Sequence, residues 1–108
     1  MDFPEIIRKL PKARLPYEGV DAYVFQGQNQ QVVFTSFHKD VEVPEHSHAA
    51  EWGVVLEGEI ELTVNGETRI FRKGDVYYIP ANAKHSAKMK KGYKEIVFFN
   101  ENRFELEV

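Results

Sequence analysis

Apolar and polar residues alternate along much of this chain with the two-residue period of a β-strand. Within residues 59–64, Ile60, Leu62 and Val64 share one face, while acidic and threonine side chains take the other. Because successive side chains of a strand point to opposite faces, this pattern predicts a strand that is buried on one side. The dipeptide Asn65-Gly66 that follows is a strong signal for a two-residue type I′ hairpin turn.

Short strands separated by turn signals are predicted over most of the chain. They lie at residues 19–26, 31–38, 52–57, 67–72, 76–79, 85–89 and 93–100, and residues 41–44 lead into a further strand that carries two histidines. About nine or ten short strands with almost no helix indicate an all-β sandwich or barrel. Fourteen aromatic residues, which favour strands, agree with a β-rich core.

The N-terminal residues predict a separate short element. Pro4 and the acidic residue after it are typical of a helix start within residues 3–10, and two later prolines end that helix early. We therefore expect a short helix or arm at residues 1–17 that lies on the sheet, followed by one barrel domain at residues 18–108.

Composition narrows the function classes. The 108 residues form one domain, and a net charge of −3 gives no electrostatic case for binding nucleic acid or an anionic membrane. The longest apolar run, residues 96–99, is too short to span a bilayer. The acidic opening of the chain lacks the apolar segment of a signal peptide, so a cytoplasmic location is expected. There is no cysteine, and any metal ligands are therefore nitrogen and oxygen atoms.

The stretch Pro44–Gly58 carries the clearest chemistry. His46 and His48 are two residues apart, so on one strand both imidazoles would face the same way. Glu51 follows after two small alanines and can return a carboxylate to the same space. Two imidazoles and a carboxylate suit a metal ion of borderline hardness, and His85 is a candidate fourth ligand.

Two separated blocks of the chain resemble the two conserved motifs of the cupins, and the resemblance covers roughly residues 18–100. The blocks read His46-x-His48-x2-Glu51-x6-Gly58 and Gly74-x5-Pro80-x-Asn82-x2-His85. Asn82 stands where the family usually has glycine, and Met89 stands where it often has asparagine. Because asparagine tolerates positive φ, the turn at Asn82 can survive.

The resemblance implies a small single-domain cupin of the RmlC-like superfamily, with a jelly-roll (double-stranded β-helix) barrel. It implies metal ligation by His46, His48, Glu51 and His85. It also implies a homodimer, and apolar residues on both faces of residues 93–99 fit an interface there.

Three neutral imidazoles and one carboxylate around a divalent ion leave a net charge of about +1, which attracts anionic or oxygen-rich small molecules. The metal could be Mn, Fe, Ni, Zn, Co or Cu. As an enzyme, the chain would be a metal-dependent dioxygenase, decarboxylase, isomerase or lyase acting on a small organic molecule. The alternatives are a non-catalytic cupin that senses a ligand or metal, and a structural barrel with vestigial ligands.

Four residues are predicted as pocket walls from strand parity and size. They are Phe34, Gly53, Tyr78 and Phe98. Gly53 shares the face of Glu51 and would leave room for a bound molecule, and Tyr78 is also a candidate proton donor. The alternative for the aromatic residues is that they fill the barrel core.

Overall fold

A computed structural model describes residues 2–107, which form nine strands and one short helix. Met1 and Val108, the outer bounds of the predicted arm and barrel, lie outside the described residues. The elements are α1 (Glu5–Arg8), β1 (Val20–Gln26), β2 (Gln31–Phe37), β3 (Val41–His46), β4 (Glu51–Glu57), β5 (Glu59–Val64), β6 (Glu67–Arg72), β7 (Val76–Ile79), β8 (His85–Met89) and β9 (Lys94–Phe99). The prediction of an almost all-β chain with one short N-terminal helix is confirmed.

The strands form two antiparallel sheets. One has five strands in the order β1-β2-β9-β4-β7, and the other has four in the order β3-β8-β5-β6. Several neighbours in each sheet are far apart in sequence, as in a jelly roll, where the chain crosses repeatedly between two facing sheets. The inner faces of the two sheets enclose the core, and the ends of β3, β4 and β8 meet at one end of it.

The turns follow the local chemistry of the sequence. Asn65 and Gly66 have φ of 48° and 81°, the two positive values that a type I′ turn needs, and they join β5 to β6. Asn82 has φ of 66° in the loop before β8. Asparagine adopts this left-handed conformation more easily than most residues, so the turn keeps its shape without glycine.

The N-terminal arm packs on the five-stranded sheet. Helix α1 is a single turn, and before it Phe3 is buried edge-on against Tyr23 and Phe34, with ring centroids 6.3 Å and 5.9 Å away. This contact covers the part of the outer face of β1 and β2 around Tyr23 and Phe34. None of the helical segments in residues 2–107 is long and apolar enough to cross a membrane.

Alternation within each strand decides which side chains reach the interior. Val24, Val33, Val55 and Val97 are almost completely buried, at most 2% exposed, and all lie in the five-stranded sheet. Burying one such side chain contributes roughly 1.5–3 kcal/mol to stability. The residues between them point outward and form the opposite surface of that sheet.

That outer surface carries one apolar row across all five strands, which we call the aromatic row. Its members are paired neighbours in register: Phe25, Val32, Phe98, Trp52 and Tyr78. The four aromatic members are 41–61% exposed. Contiguous exposed apolar surface of this kind is typical of a docking face rather than of a free monomer surface.

Candidate metal centre

Three of the predicted ligands, His46, His48 and His85, form a cluster at one end of the barrel that could hold a metal ion, and the fourth, Glu51, contacts His48 and His85. His46 ends β3, His85 begins β8 opposite it, and Glu51 begins β4, while His48 lies in the loop between β3 and β4. The ladder register shifts between Val43 and His46, so the end of β3 is irregular. His48 lies beyond the end of β3, not on one regular strand with His46. The ligand nitrogens of the three histidines nevertheless lie within 4.8 Å of one another.

Three of the ligand atoms have the spacing of a metal coordination sphere. The Glu51 Oε1 atom is 3.0 Å from His48 Nε2 and 3.4 Å from His85 Nε2, and the two nitrogens are 3.1 Å apart. Ligand atoms about 2.1 Å from one ion, at angles of about 90–109°, lie about 3.0–3.4 Å from each other. The three histidines, with the Glu51 carboxylate beside two of them, therefore fit a transition-metal ion.

Backbone carbonyls orient all three imidazoles. The Nδ1 atoms of His46, His48 and His85 lie 2.8, 2.7 and 2.9 Å from the carbonyl oxygens of Pro44, Ala49 and Ala83 respectively. A carbonyl oxygen can only accept, so each Nδ1 must carry the proton and donate. In the neutral ring the lone pair is then on Nε2, and for His48 and His85 this is the atom that faces Glu51 Oε1.

The ionised Glu51 carboxylate and the neighbouring imidazoles favour a bound cation. Burial alone would raise the pKa of Glu51, but hydrogen bonds with His48 and His85 outweigh it and the pKa is lowered. Burial opposes the charged form of His85, yet the contact with Glu51 raises its pKa overall. Burial lowers the pKa of His46. An ionised carboxylate among inward lone pairs is stable only with a proton or a metal ion between them.

The loops around the centre are held by hydrogen bonds. The backbone N–H of Asn82 donates to the His48 carbonyl oxygen over 2.8 Å, which ties the two motif loops together. The Glu101 carboxylate accepts from the Ala49 N–H at 2.8 Å and lies 3.6 Å from His48 Nδ1. Such contacts behind the ligands fix the orientation of the rings.

A cavity of about 350 Å³ opens from the centre between the two sheets. Its walls are mainly apolar and include Val33, Phe37, Val41, Leu62, Ile79 and Phe99. The candidate ligands His46, Glu51 and His85 line it as well. The volume lies within the range of about 300–1,000 Å³ that is usual for small-molecule sites.

Glu95, which lies in the cavity wall and contacts two tyrosines, was not predicted from the sequence. The Tyr77 and Tyr93 hydroxyls both donate to Glu95 Oε1, over 2.9 Å and 2.8 Å. Burial raises the pKa of Glu95 to about 7 and also raises the pKa values of both tyrosines. Glu95 lies two residues before the buried Val97 and therefore on the same face of β9. This spacing is the sequence signal that could have identified Glu95 as an inward-facing residue.

Arg103 is the second missed residue, and it lies in the segment after β9. Its Nη2 atom is 3.4 Å from His46 Nε2, and its guanidinium lies over the rings of Phe99 and Phe104, at 5.5 Å and 4.8 Å from their centroids. No periodic pattern surrounds this position, so only the tertiary structure brings it to the cavity.

The structure places the four predicted pocket residues outside the cavity. Tyr78 and Phe98 belong to the exposed aromatic row, and Phe34 lies beneath Phe3 on the same outer face. Their strand parity is opposite to that of the cavity-lining residues, so the interpretation of these three as walls is corrected. Tyr78, at 61% exposed, is also not positioned to donate a proton in the cavity.

Gly53 does share the inward face of Glu51, but the space over it is filled. A Cβ atom built there would lie 2.4 Å from the Tyr77 ring carbon Cζ and 2.6 Å from its hydroxyl oxygen. The glycine makes room for the tyrosine that contacts Glu95, rather than for a ligand directly.

Comparisons with known proteins agree with the fold. A family profile for the cupin domain matches residues 33–97. Quercetin 2,3-dioxygenase of Bacillus subtilis is 31% identical over 83% of this chain, which covers only 32% of that protein. An RmlC-like cupin from Shewanella frigidimarina superposes with a TM-score of 0.74 at 23% identity, covering 86% of each chain. KdgF from a Halomonas species gives 0.70 at 19% identity, covering 84% of this chain and 87% of its own.

Proposed function

The chain belongs to the cupin family, and we propose that it binds a divalent transition metal through His46, His48, Glu51 and His85 to act on a small oxygen-rich or anionic organic molecule. The observation that carries this proposal is the convergence of a carboxylate oxygen and two imidazole Nε2 atoms at 3.0–3.4 Å, with all three histidine tautomers set by backbone carbonyls. The metal could be Mn, Fe, Ni, Zn, Co or Cu.

The apolar cavity beside the centre supports a small-molecule ligand. Its walls would exclude bulk water, which strengthens charge interactions at the centre. A bound metal ion would supply Lewis acidity or, for a redox-active ion, electron transfer to oxygen. Glu95 lies in the wall with a pKa near neutrality and can hold or release a proton there.

Dioxygenation is the first reaction to test, because one relative is named a quercetin 2,3-dioxygenase. Decarboxylation, isomerisation and lyase chemistry are the other classes that this ligand set serves. A panel of flavonols, phenols and small carboxylic acids, assayed with oxygen uptake and product analysis, separates these classes. Ligand-dependent thermal shifts without turnover would support the alternative of a non-catalytic sensing cupin.

Metal analysis tests the centre itself. We expect purified protein to hold about one metal ion per chain, and His48→Ala to lose at least about tenfold in metal affinity. His38→Ala is the matched control, because His38 is exposed and contacts Asp21 rather than the centre. An unchanged metal stoichiometry in a His46→Ala/His48→Ala double variant would end the proposal.

We also propose that the chain forms a homodimer through the aromatic row. The row offers four exposed aromatic side chains on one sheet face, and aromatic residues are enriched at the centres of interfaces. Trp52→Glu should shift the mass measured by light scattering from dimer to monomer, whereas Glu61→Gln on the other sheet should not. A wild-type monomer at 100 µM would contradict this.

A cytoplasmic location stays a prediction, which fractionation of expressing cells would test.

A further inference from the structure

The Arg103 guanidinium is a charged group at the cavity that lacks an ion-pair partner among the described residues. Its Nε atom is buried and is the one buried side-chain nitrogen or oxygen in residues 2–107 without a hydrogen-bond partner. Glu51 and Glu101 are near enough to influence its pKa, but neither forms an ion pair with it among the described contacts. A buried donor with no partner destabilises the folded protein, so its retention needs an explanation.

The second donor on the same edge of the guanidinium faces His46. Arg103 Nη2 lies 3.4 Å from His46 Nε2. Because Nδ1 of His46 is held by the Pro44 carbonyl, that Nε2 lone pair is also the one that would ligate a metal. One lone pair cannot serve both, so a metal-loaded centre leaves Nη2 without its acceptor.

Nε and Nη2 form the side-on fork of an arginine, two parallel N–H donors that match the two oxygens of a carboxylate. The rings of Phe99 and Phe104, which lie edge-on to each other, both contact the guanidinium and hold it in place. Arg103, His46 and Glu51 all line the same cavity. A carboxylate in the fork would therefore lie next to the metal centre.

We propose that Arg103 binds a carboxylate group of the ligand through Nε and Nη2, directly beside the metal centre. This inference rests on the proposed function and narrows its substrate class to organic carboxylates. The apolar cavity takes the remainder of the molecule. With a metal centre of about +1 and a permanent cation next to it, a neutral isostere is disfavoured because it leaves the guanidinium unpaired.

The test compares benzoate with its neutral isostere benzamide by calorimetric titration of Ni²⁺-loaded protein. We expect benzoate to bind at least tenfold more tightly than benzamide to the wild type. Arg103→Gln should weaken benzoate binding by about ten- to a hundredfold and leave benzamide nearly unchanged. Arg103→Lys keeps the charge but not the fork, so it should recover only part of the loss.

Arg69→Gln is the charge-matched control, because Arg69 is exposed, pairs with Glu67 and lies away from this cavity. Metal content is measured on every sample, and the titrations are repeated on metal-free protein. Absence of metal from the wild type would refute the proposed function but leave the benzoate comparison intact. Equal benzoate affinities for wild type and Arg103→Gln at equal metal content, or no binding of benzoate to the wild type, would overturn the Arg103 assignment.

Discussion

Replacing Glu95 with glutamine should make the protein more stable at alkaline pH and change little at acidic pH. The carboxyl has its pKa raised from an ordinary 4.5 to about 7, because it is buried against the two tyrosines. The glutamine side-chain oxygen can still accept from both hydroxyls, but the amide cannot ionise. The substitution therefore removes the titration and keeps the hydrogen bonds.

The direction in which the free energy of unfolding changes with pH follows from proton binding. Between about pH 4.5 and pH 7 the folded protein retains a proton on Glu95 that the unfolded chain has released, so the free energy of unfolding falls as pH rises. The pKa difference corresponds to about 3 kcal/mol at 1.36 kcal/mol per pH unit. This is an upper bound, since the side chain lines a cavity that admits some solvent. For a domain of this size 1 kcal/mol shifts Tm by roughly 4–8 °C.

The assay is denaturant unfolding of EDTA-treated wild type and Glu95→Gln at pH 5, 6, 7 and 8. We expect the free energy of unfolding of Glu95→Gln to rise relative to that of the wild type by about 1–3 kcal/mol between pH 5 and pH 8. Glu61→Gln, which makes the same change on an exposed strand face, serves as the control. Parallel pH profiles for wild type and Glu95→Gln would contradict this expectation, as would an NMR titration that places the Glu95 carboxyl near its ordinary pKa.

Three further outcomes are expected. Chelation should remove about 2.7 kcal/mol of stability from the wild type when the metal is present at a hundredfold excess over its dissociation constant, and calorimetry should show a correspondingly lower Tm. In His48→Ala, whose metal affinity is expected to be at least about tenfold weaker, chelation should remove about 1.4 kcal/mol or less. Gly53→Ala should destabilise by about 1–3 kcal/mol, measured by denaturant unfolding, because the new Cβ overlaps the Tyr77 ring; unchanged stability would contradict the tight contact. Asn82→Ala should cost about 1 kcal/mol in the same assay, whereas Asn82→Gly should be close to neutral, since φ at this position is 66°.

Local patterns were enough to predict the strands and turns. Alternation in residues 59–64 and the turn at Asn65-Gly66 both have the predicted form, with β5 at Glu59–Val64 and two positive φ values after it. These features depend on backbone sterics and on the two-residue period of a strand, which act over a few neighbouring residues. The family resemblance carried by His46, His48, Glu51 and His85 also came from short motifs.

The assignment of side chains to the cavity was less accessible from sequence. Phe34, Tyr78 and Phe98 are as apolar as the true wall residues, and hydrophobicity alone cannot say which sheet face is covered by the other sheet. In β4 the alternation did place Gly53 inward, but only the neighbouring strand β7 shows that Tyr77 fills the space over it.

The amino-acid sequence is enough to predict the strand periods, the turn conformations and the residue types available for a metal, because each of these depends on near neighbours. Tertiary structure alone decided that Glu95 meets two tyrosines and that Arg103 reaches His46, since these contacts join segments whose approach depends on how both sheets pack. Burial, which sets the pKa of Glu95 and leaves Arg103 Nε without a partner, exists only once the sheets enclose the cavity.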